Sequence, residues 1–297
     1  MQKTKVEWIA QFRKVAEIKV ATIPTSKPRN DKAKEINTRI KEYKEDLIKQ
    51  IQGIAHSQNW NNKQLLDEIL MITYASYIVM LEYRNKVWEY EYMAFARRIG
   101  ELWEPFCKLL FEYPIKDLKI IEPLNFSSVQ SGLKKQAKDF ISALNVSVEE
   151  KRLLSYYYGI PWTLVDSGGI KLDLDLHFEQ DGVHYNCDFK SGFSSNEKGN
   201  TNRLLLVGSI YQSLGKNEKT LLFVRQDEDQ NNHYLQTLKN SDYWSVFCAN
   251  SCYDQIAKFT GFDLRSWLDI NVDWKNDISS EFRKHLENND LLRYLTW

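Results

Sequence analysis

The chain has few cysteines, no net charge and no uninterrupted apolar run long enough to cross a membrane. Its four cysteines match no zinc-binding spacing, and the pair Cys248 and Cys252 has no second pair to complete a site. We therefore expect reduced thiols in a cytoplasmic protein without a signal peptide. The longest apolar run, at 65–83, is interrupted by Asp67 and Glu68, which argues against a bilayer span and predicts a buried helix.

The balance of charge gives no indication of a polyanionic partner, because Lys and Arg total 40 and so do Asp and Glu. Residues 1–50 are locally basic, with 13 basic and 7 acidic side chains. Such a segment can contact phosphates, but basic helix faces are commonly only solvated. A hydrophobic content of 43% over 297 residues predicts a globular chain with ample core.

The hydrophobic pattern changes at Pro161. Before it, apolar residues recur every three or four positions, which predicts helices at 28–55, 63–83, 86–111, 128–143 and 148–157. Pro105 is expected to end, kink or restart the third of these. After Pro161, alternating and short apolar runs predict strands at 161–166, 170–178, 183–189 and 220–226. A helix at 201–214 separates the last two, and the mainly helical remainder has room for a short strand at 244–248.

The dipeptide Asp181-Gly182 predicts a tight hairpin, because both turn positions tolerate positive φ. Counting back from a two-residue turn places Asp175 opposite Asp188, with Cβ atoms about 4.5–5.5 Å apart. Lys190 lies two residues beyond Asp188 and therefore shares its face of the strand. Two carboxylates and an ammonium group are thus predicted to converge at one end of the hairpin.

Two opposed carboxylates destabilise a hairpin unless one is protonated or a cation lies between them. Mg²⁺ suits the second arrangement, because it binds one or two carboxylates together with waters and a substrate phosphate. Lys190 would then contact the attacking water or the scissile phosphate. We therefore predict a hydrolytic metal site here in preference to an ordinary solvated hairpin face, which remains the alternative.

Two other aspartates compete for the place of Asp175. Asp173 would replace it if the loop were two residues longer, because that shift keeps the same face of the strand. Asp166 lies at a predicted strand end, but no turn sets its register against Asp188.

The spacing Asp175…Asp188-Phe189-Lys190 resembles the active-site motif of the PD-(D/E)xK nuclease superfamily. The DFKSGF segment is similar to that of type II restriction endonucleases in this superfamily. The predicted order of elements over 160–226, preceded by the helix at 86–111, also resembles its core. Leu174 stands where the family's motif has proline.

The resemblance implies an α/β fold of the α+β type, with a mixed central sheet and a restriction-endonuclease-like αβββαβ core. It implies that Asp175, Asp188 and the Phe189 backbone carbonyl bind Mg²⁺, with Mn²⁺ as a substitute. It implies that Lys190 orients the attacking water.

The family core often contributes an acid from its first helix, for which Glu101 and Glu104 are the candidates here. The expected organisation is a helical region for dimerisation or DNA clamping, a nuclease core with a helical insertion, and a mainly helical extension packed on that core. These segments correspond to 1–85, 86–250 with the insertion at about 115–158, and 251–297.

Candidate DNA contacts flank the predicted site. Backbone amides and polar side chains at a helix start suit phosphates, and Arg and Gln suit guanine and adenine edges. The residues in question are Lys198, Asn200, Asn202, Arg203, Arg225 and Gln226. A polar loop with ordinary helix capping is the alternative for the first group.

Together these features predict a Mg²⁺-dependent endonuclease acting on double-stranded DNA, foremost a site-specific type II restriction enzyme in a prokaryotic cytoplasm. A homodimer would match a palindromic site, a cognate DNA methyltransferase would belong to the same system, and no membrane would be involved. The alternatives are a repair, recombination or phage-defence nuclease of low sequence specificity, a non-catalytic nucleic-acid-binding module with a nuclease-like fold, and a helical scaffold protein.

Overall fold

The computed structural model describes residues 3–163, 171–194 and 197–297. These residues form a mixed α/β fold in which twelve α-helices surround a five-stranded sheet. The predicted fold class is confirmed at this level. Helical regions precede and follow the sheet, as expected.

Four helices precede the sheet: α1 (Lys5–Ala21), α2 (Arg29–Ser57), α3 (Asn62–Val87) and α4 (Tyr92–Glu112). The prediction began at residue 28 and therefore omitted α1, although Thr4 and Glu7 form a capping box at its start. α4 continues through Pro105 to Glu112, so the proline does not end the helix.

α3 is the buried helix that the apolar run predicted, since Ile72, Ile78 and Val79 are fully inaccessible to solvent. Among the described helices, α3 alone is long and apolar enough to cross a membrane by length and composition. However, 78% of its most apolar window is buried inside the fold, as is also found for core helices.

A buried hydrogen bond links α1 to α3. The Trp8 indole donates to Glu68 Oε1 at 2.7 Å, and only 5% of Glu68 is exposed. Burial raises the pKa of this carboxyl above its ordinary value of 4.5, although the Trp8 hydrogen bond and nearby Lys3 lower it. Ionised Glu68 is therefore a local cost that grows as the pH rises.

We expect Glu68→Gln to stabilise the protein at neutral pH, because the amide keeps the acceptor for Trp8 and carries no charge. A carboxyl with a raised pKa favours the folded state below its unfolded pKa, and this contribution disappears as the pH rises through the folded pKa. Melting temperatures of variant and parent should therefore coincide near pH 4 and differ by about 2–4 °C at pH 8, roughly the effect of 1 kcal/mol. A variant that is less stable at pH 8 would contradict this expectation.

The sheet has the order β1-β2-β3-β4-β5. Its first three strands are antiparallel neighbours, whereas β3, β4 and β5 run parallel. The strands are β1 (Lys119–Ile120), β2 (Leu176–Gln180), β3 (Val183–Lys190), β4 (Glu218–Val224) and β5 (Ser245–Cys248). The predictions for β3, β4 and β5 are confirmed to within two residues.

The predicted strand at 161–166 is wrong where the structure describes it. Residues 161–163 complete helix α6 (Val148–Thr163), and 164–166, including Asp166, lie outside the described residues. The strand that pairs with the free edge of β2 is instead β1, far earlier in the chain, within the segment expected to be a helical insertion.

The predicted strand at 170–178 is shorter than expected. The described residues 171–175 are not in a strand, and the chain bends at Asp175 before β2 begins. Consequently Leu172 packs against Val207 and Tyr211 of a different hydrophobic cluster. The alternating pattern therefore reflects burial in two separate clusters rather than one continuous strand face.

The hairpin register is confirmed. Asp181 and Gly182 have φ angles of 54° and 75°, as a two-residue turn with two left-handed positions requires. Gln180 pairs with Val183, and the ladder runs back to Leu176 opposite Cys187. The next position on each strand is Asp175 and Asp188.

Helices cover both faces of the sheet. One face carries Leu222 and Val224, which pack with Leu204, Leu235 and Leu238. The other carries Phe189 and Phe223 and belongs to a cluster that extends from α1 to the C-terminal helices. The remaining helices are α5 (Phe126–Ala143), α7 (Lys198–Ser213), α8 (His233–Lys239), α9 (Ala249–Thr260), α10 (Leu264–Asn271), α11 (Trp274–Asp277) and α12 (Ser280–Asn288), with short 3₁₀ turns at Glu228–Gln230 and Leu292–Tyr294.

Candidate active site

The candidate site lies where β2 begins and β3 ends. Asp175 immediately precedes β2, and its Oδ2 accepts a hydrogen bond of 2.8 Å from the Phe189 backbone N–H. This bond fixes the Asp175 carboxylate against the end of β3. The predicted convergence of Asp175 with Asp188 and Lys190 is therefore present in the structure.

The Lys190 ammonium group lies among three oxygens. It contacts Asp188 Oδ1, donates to the Phe189 carbonyl at 3.1 Å, and lies 3.9 Å from Asp175 Oδ2. These are the same three groups that the family resemblance assigns to a metal ion. The site is thus shaped to surround one cation with two carboxylates and a carbonyl.

Asp188 is the most buried member, with no exposed surface. Its Oδ2 accepts a hydrogen bond of 3.0 Å from Arg203 on α7. Burial raises the pKa of Asp188, and the charge of Asp175 raises it further, whereas Lys190 and Arg203 lower it. The carboxylate is therefore held in a site where a cation of higher charge would stabilise its ionised form.

Glu104 is the helix acid that lies near this site. Burial and the charge of Asp175 raise its pKa, while Lys108, at 3.5 Å, and Lys190 lower it. Glu101, the other candidate, is about half exposed and pairs instead with Arg97 and Arg98.

Gly100 allows α4 to come close to the chain that follows β3. A Cβ at Gly100 would lie 2.6 Å from Ser191 Oγ, which is well inside van der Waals contact. Ser191 directly follows Lys190, and Glu104 is one helical turn beyond Gly100 on the same face. The glycine therefore brings Glu104 towards the carboxylates.

His177 was expected on a polar face but is buried, with 5% exposure. Its Nε2 accepts from the Leu174 backbone N–H at 2.9 Å, and its Nδ1 bonds to Asn186 Oδ1 at 2.8 Å. Burial lowers the pKa of His177, which favours the neutral ring needed for that acceptor. His177 therefore holds the chain just before Asp175, a positioning role that the alternating sequence did not reveal.

The candidate DNA contacts have different surroundings. Lys198 and Asn202 are exposed at the start of α7, and Asn200 donates to Glu197 at 3.0 Å. Arg203 combines partial exposure with its bond to Asp188. Gln226 packs so tightly on Gly192 that a Cβ there would lie 1.7 Å from the Gln226 side-chain oxygen.

Arg225 does not project freely from the end of β4. It donates to Ser191 Oγ and to the Thr296 carbonyl, which fixes its guanidinium group beside the loop after Lys190. The predicted reach into a duplex groove is therefore restricted by these bonds.

The residues present suit a hard divalent cation. Over the described ranges, no group of three or more His, Cys, Asp and Glu side chains is placed to hold a metal. The donors here are instead two carboxylates and one carbonyl, a set that Mg²⁺ accepts when waters and a phosphate complete its coordination. Asp188 Oδ1 is buried and, despite its contact with Lys190, accepts no well-directed hydrogen bond. An oxygen in this state is suited to a metal ion.

Asp173 is separate from this cluster. It is exposed, and its contribution is to the electrostatics of His177 and Tyr211 rather than to Asp188. The two-residue turn thus places Asp175, not Asp173, beside Asp188 and Lys190.

We expect Asp175→Asn to reduce hydrolysis by at least about a hundredfold, the usual effect of losing one charged group that stabilises a transition state. Asp173→Asn is the matched control, since it removes an equal charge two residues away and should change the rate less than about threefold. Single-turnover rates on one DNA substrate compare the two. The reverse ranking would assign the first carboxylate to Asp173.

No protein-family model, curated protein or solved structure matches this chain.

Proposed function

We propose that this chain is a Mg²⁺-dependent endonuclease that hydrolyses phosphodiester bonds of double-stranded DNA, foremost as a site-specific type II restriction enzyme. The observation that carries the proposal is the position of the Lys190 ammonium group. It is surrounded by carboxylates of Asp175 and Asp188 and by the Phe189 carbonyl. A lysine and two acids at one strand end have few structural uses, whereas phosphoryl transfer needs both charges together.

The order of elements supports the same proposal. Helix α4, the antiparallel strands β1 to β3, helix α7 and the parallel strand β4 follow one another as in the αβββαβ core that the motif resembles. In this arrangement β1 takes the place first expected at 161–166. The segment 121–175 then becomes an insertion between the first two strands.

In the proposed enzyme, Asp175, Asp188 and the Phe189 carbonyl would hold Mg²⁺, which when bound supplies a more acidic water and charge stabilisation at the phosphate. Lys190 would provide a fixed positive charge towards the attacking water or the phosphate. Glu104, with its raised pKa, is placed to accept a proton near this point. Mn²⁺ should substitute, because it accepts the same oxygen ligands.

The proposal carries its partners with it. Cleavage of both strands at a palindromic site would require a homodimer. A cognate DNA methyltransferase would protect the host, and the system would operate in a prokaryotic cytoplasm without a membrane.

A repair, recombination or phage-defence nuclease of low specificity would use the same site, and a non-catalytic nucleic-acid-binding module would retain only the fold. Incubation of the purified protein with unmethylated phage DNA and Mg²⁺, followed by sequencing of the ends, separates the three. Discrete ends indicate a restriction enzyme, and scattered ends indicate low specificity. Absence of cleavage across varied DNA and RNA, with Mg²⁺ or Mn²⁺, would reject the nuclease proposal and leave the binding module.

A further inference from the structure

A cleft of about 1290 Å³ opens beside the candidate active site. Ser191 and Gly192, the two residues after Lys190, form part of its wall. The other walls come from the start of α4, the turn after β4 and the C-terminal segment. Any polymer bound at the site could therefore continue into this cleft.

The cleft has an excess of positive charge. Four arginines line it, against the carboxylates of Glu197 and Asp227. Three of these arginines pair with an acid: Arg97 with Glu101, Arg265 with Asp269, and Arg293 with Asp290.

Arg225 is the fourth arginine and is different. Its Nε and Nη2 donate to Ser191 Oγ at 3.1 and 2.8 Å, and its Nη1 donates to the Thr296 carbonyl at 2.6 Å. No carboxylate of the described ranges forms an ion pair with it. Burial lowers the pKa of its guanidinium group, which shows that the charge is partly removed from water. A fixed, partly buried guanidinium group without a counter-ion is well matched to a phosphate.

Aromatic side chains line the same cleft. Tyr92 is 52% exposed, and its ring centroid lies 5.1 Å from that of Tyr294. The Arg293 guanidinium group lies 5.1 Å from the Tyr294 ring centroid. Neighbouring Met93 is also highly exposed. Exposed aromatic faces beside cations are the surfaces on which unpaired bases stack.

The size of the cleft favours a single strand. Clefts of about 300–1,000 Å³ enclose one drug-sized ligand, so this cleft has room for a few nucleotides but not for a turn of duplex. Arg225 cannot swing out to meet a duplex without losing its bonds to Ser191 and Thr296. The strand must come to the arginine.

We infer that this cleft binds a short unpaired segment of a DNA strand, with Arg225 on a phosphate and Tyr92 and Tyr294 against a base. The inference rests on the proposed function, because it names the form of substrate for that same site. The nuclease would act on DNA that is locally unpaired next to the scissile bond.

The test measures binding without cleavage. Fluorescence anisotropy in EDTA compares a short fluorescein-labelled oligothymidine strand with a hairpin duplex of equal phosphate number. The single strand should bind at least about tenfold more tightly. Tyr294→Ala should weaken it about tenfold, since one base–aromatic stack contributes about 1–3 kcal/mol and 1.4 kcal/mol is a factor of ten.

Arg293→Ala has a closely matched control in Arg152→Ala on α6. Both arginines are about equally exposed, at 63% and 66%, and both pair with an acid three residues earlier in the chain. We expect Arg293→Ala to weaken single-strand binding and lower its salt dependence, whereas Arg152→Ala should leave both unchanged. Arg225→Lys should weaken binding similarly, and its thermal unfolding curve shows whether the loop at Ser191 stays folded.

Equal or tighter binding of the duplex, or no loss in both Tyr294→Ala and Arg293→Ala, would overturn the inference. The result is separable from the fate of the nuclease. Cleavage of DNA without single-strand binding would leave the proposed function and remove the cleft. Cleft-dependent binding with no cleavage of any substrate would do the reverse.

Discussion

Asp188→Asn is expected to abolish DNA cleavage, with a loss of at least about a thousandfold. Asp188 contributes an oxygen to Lys190, another to Arg203, and is fully buried. An amide cannot bind a divalent cation with the same charge. Lys190→Ala should have an effect of similar size, because it removes the positive charge that lies among the three oxygens.

The expected stability change distinguishes a functional acid from a structural one. Burial raises the pKa of Asp188, so its ionised form opposes folding at neutral pH. Replacing it by Asn should leave the melting temperature unchanged or higher at pH 7. If Asp188 served mainly to hold the fold together through Lys190 and Arg203, the same variant would melt at a lower temperature.

The measurements are single-turnover cleavage, DNA binding in EDTA and thermal unfolding on the same preparations. Both variants should bind DNA measurably, and Asp173→Asn should cleave almost as the parent does. Full cleavage by Asp188→Asn and by Lys190→Ala would show that the site assignment is wrong.

The part of the site that the sequence predicted is the part set by local geometry. Asp181 and Gly182 determine a two-residue turn, and a turn of known length fixes which residues face each other over the next few pairs. That is why the sequence alone could bring Asp175, Asp188 and Lys190 together. The long helices α2 and α3 were predicted for a similar reason, because their periodicity continues over many turns.

The errors lie where tertiary contacts decide the outcome. Strand β1 has only two residues, and its pairing with β2 depends on chain segments more than fifty residues apart. The segment at 161–163 is short and apolar, a pattern that suits a strand or a helix end equally, and here it ends α6. The bend at Asp175 is similarly hidden, because Leu172 is buried by a different helix from Leu176.

The surroundings of the site were not accessible from sequence order. Glu104 could be separated from Glu101 only by the way in which Gly100 packs against Ser191. Arg225 is fixed by Thr296, 71 residues later in the chain. Sequence patterns specify partners that are close in the chain, whereas these partners depend on how α4 and the C-terminal segment pack on the sheet.

Trp103→Ala is expected to be among the most destabilising single changes, at about 3–5 kcal/mol. Trp103 is 1% exposed, lies edge-on to Phe189 at 5.8 Å between centroids, and donates to the Tyr253 hydroxyl at 3.0 Å. It therefore joins α4 and α9 to the strand that carries Asp188 and Lys190. Since folded domains are typically stable by about 5–15 kcal/mol, the loss is a large share of the total.

Urea unfolding can divide this effect into its parts. Tyr253→Phe removes only the acceptor of the Trp103 indole and should cost about 1–3 kcal/mol, the penalty for leaving a buried donor unpaired. Trp103→Phe keeps most of the ring volume and should fall between the two. The order Trp103→Ala, Trp103→Phe, Tyr253→Phe would show that packing against Phe189 outweighs the hydrogen bond. Equal costs for all three would show that the hydrogen bond dominates instead.

The same variants test whether this packing matters for the site itself. Trp103 is followed by Glu104 and contacts Phe189, whose backbone N–H holds Asp175 and whose carbonyl faces Lys190. A cavity at Trp103 should allow these groups to move relative to each other, and displacements of about 1 Å can lower a rate about a hundredfold. We therefore expect Trp103→Ala to cleave DNA more slowly even at temperatures at which it remains folded, whereas Tyr253→Phe should retain most of the activity. If the folded fraction of Trp103→Ala were as active as the parent, α4 would stabilise the sheet without setting the geometry of the site.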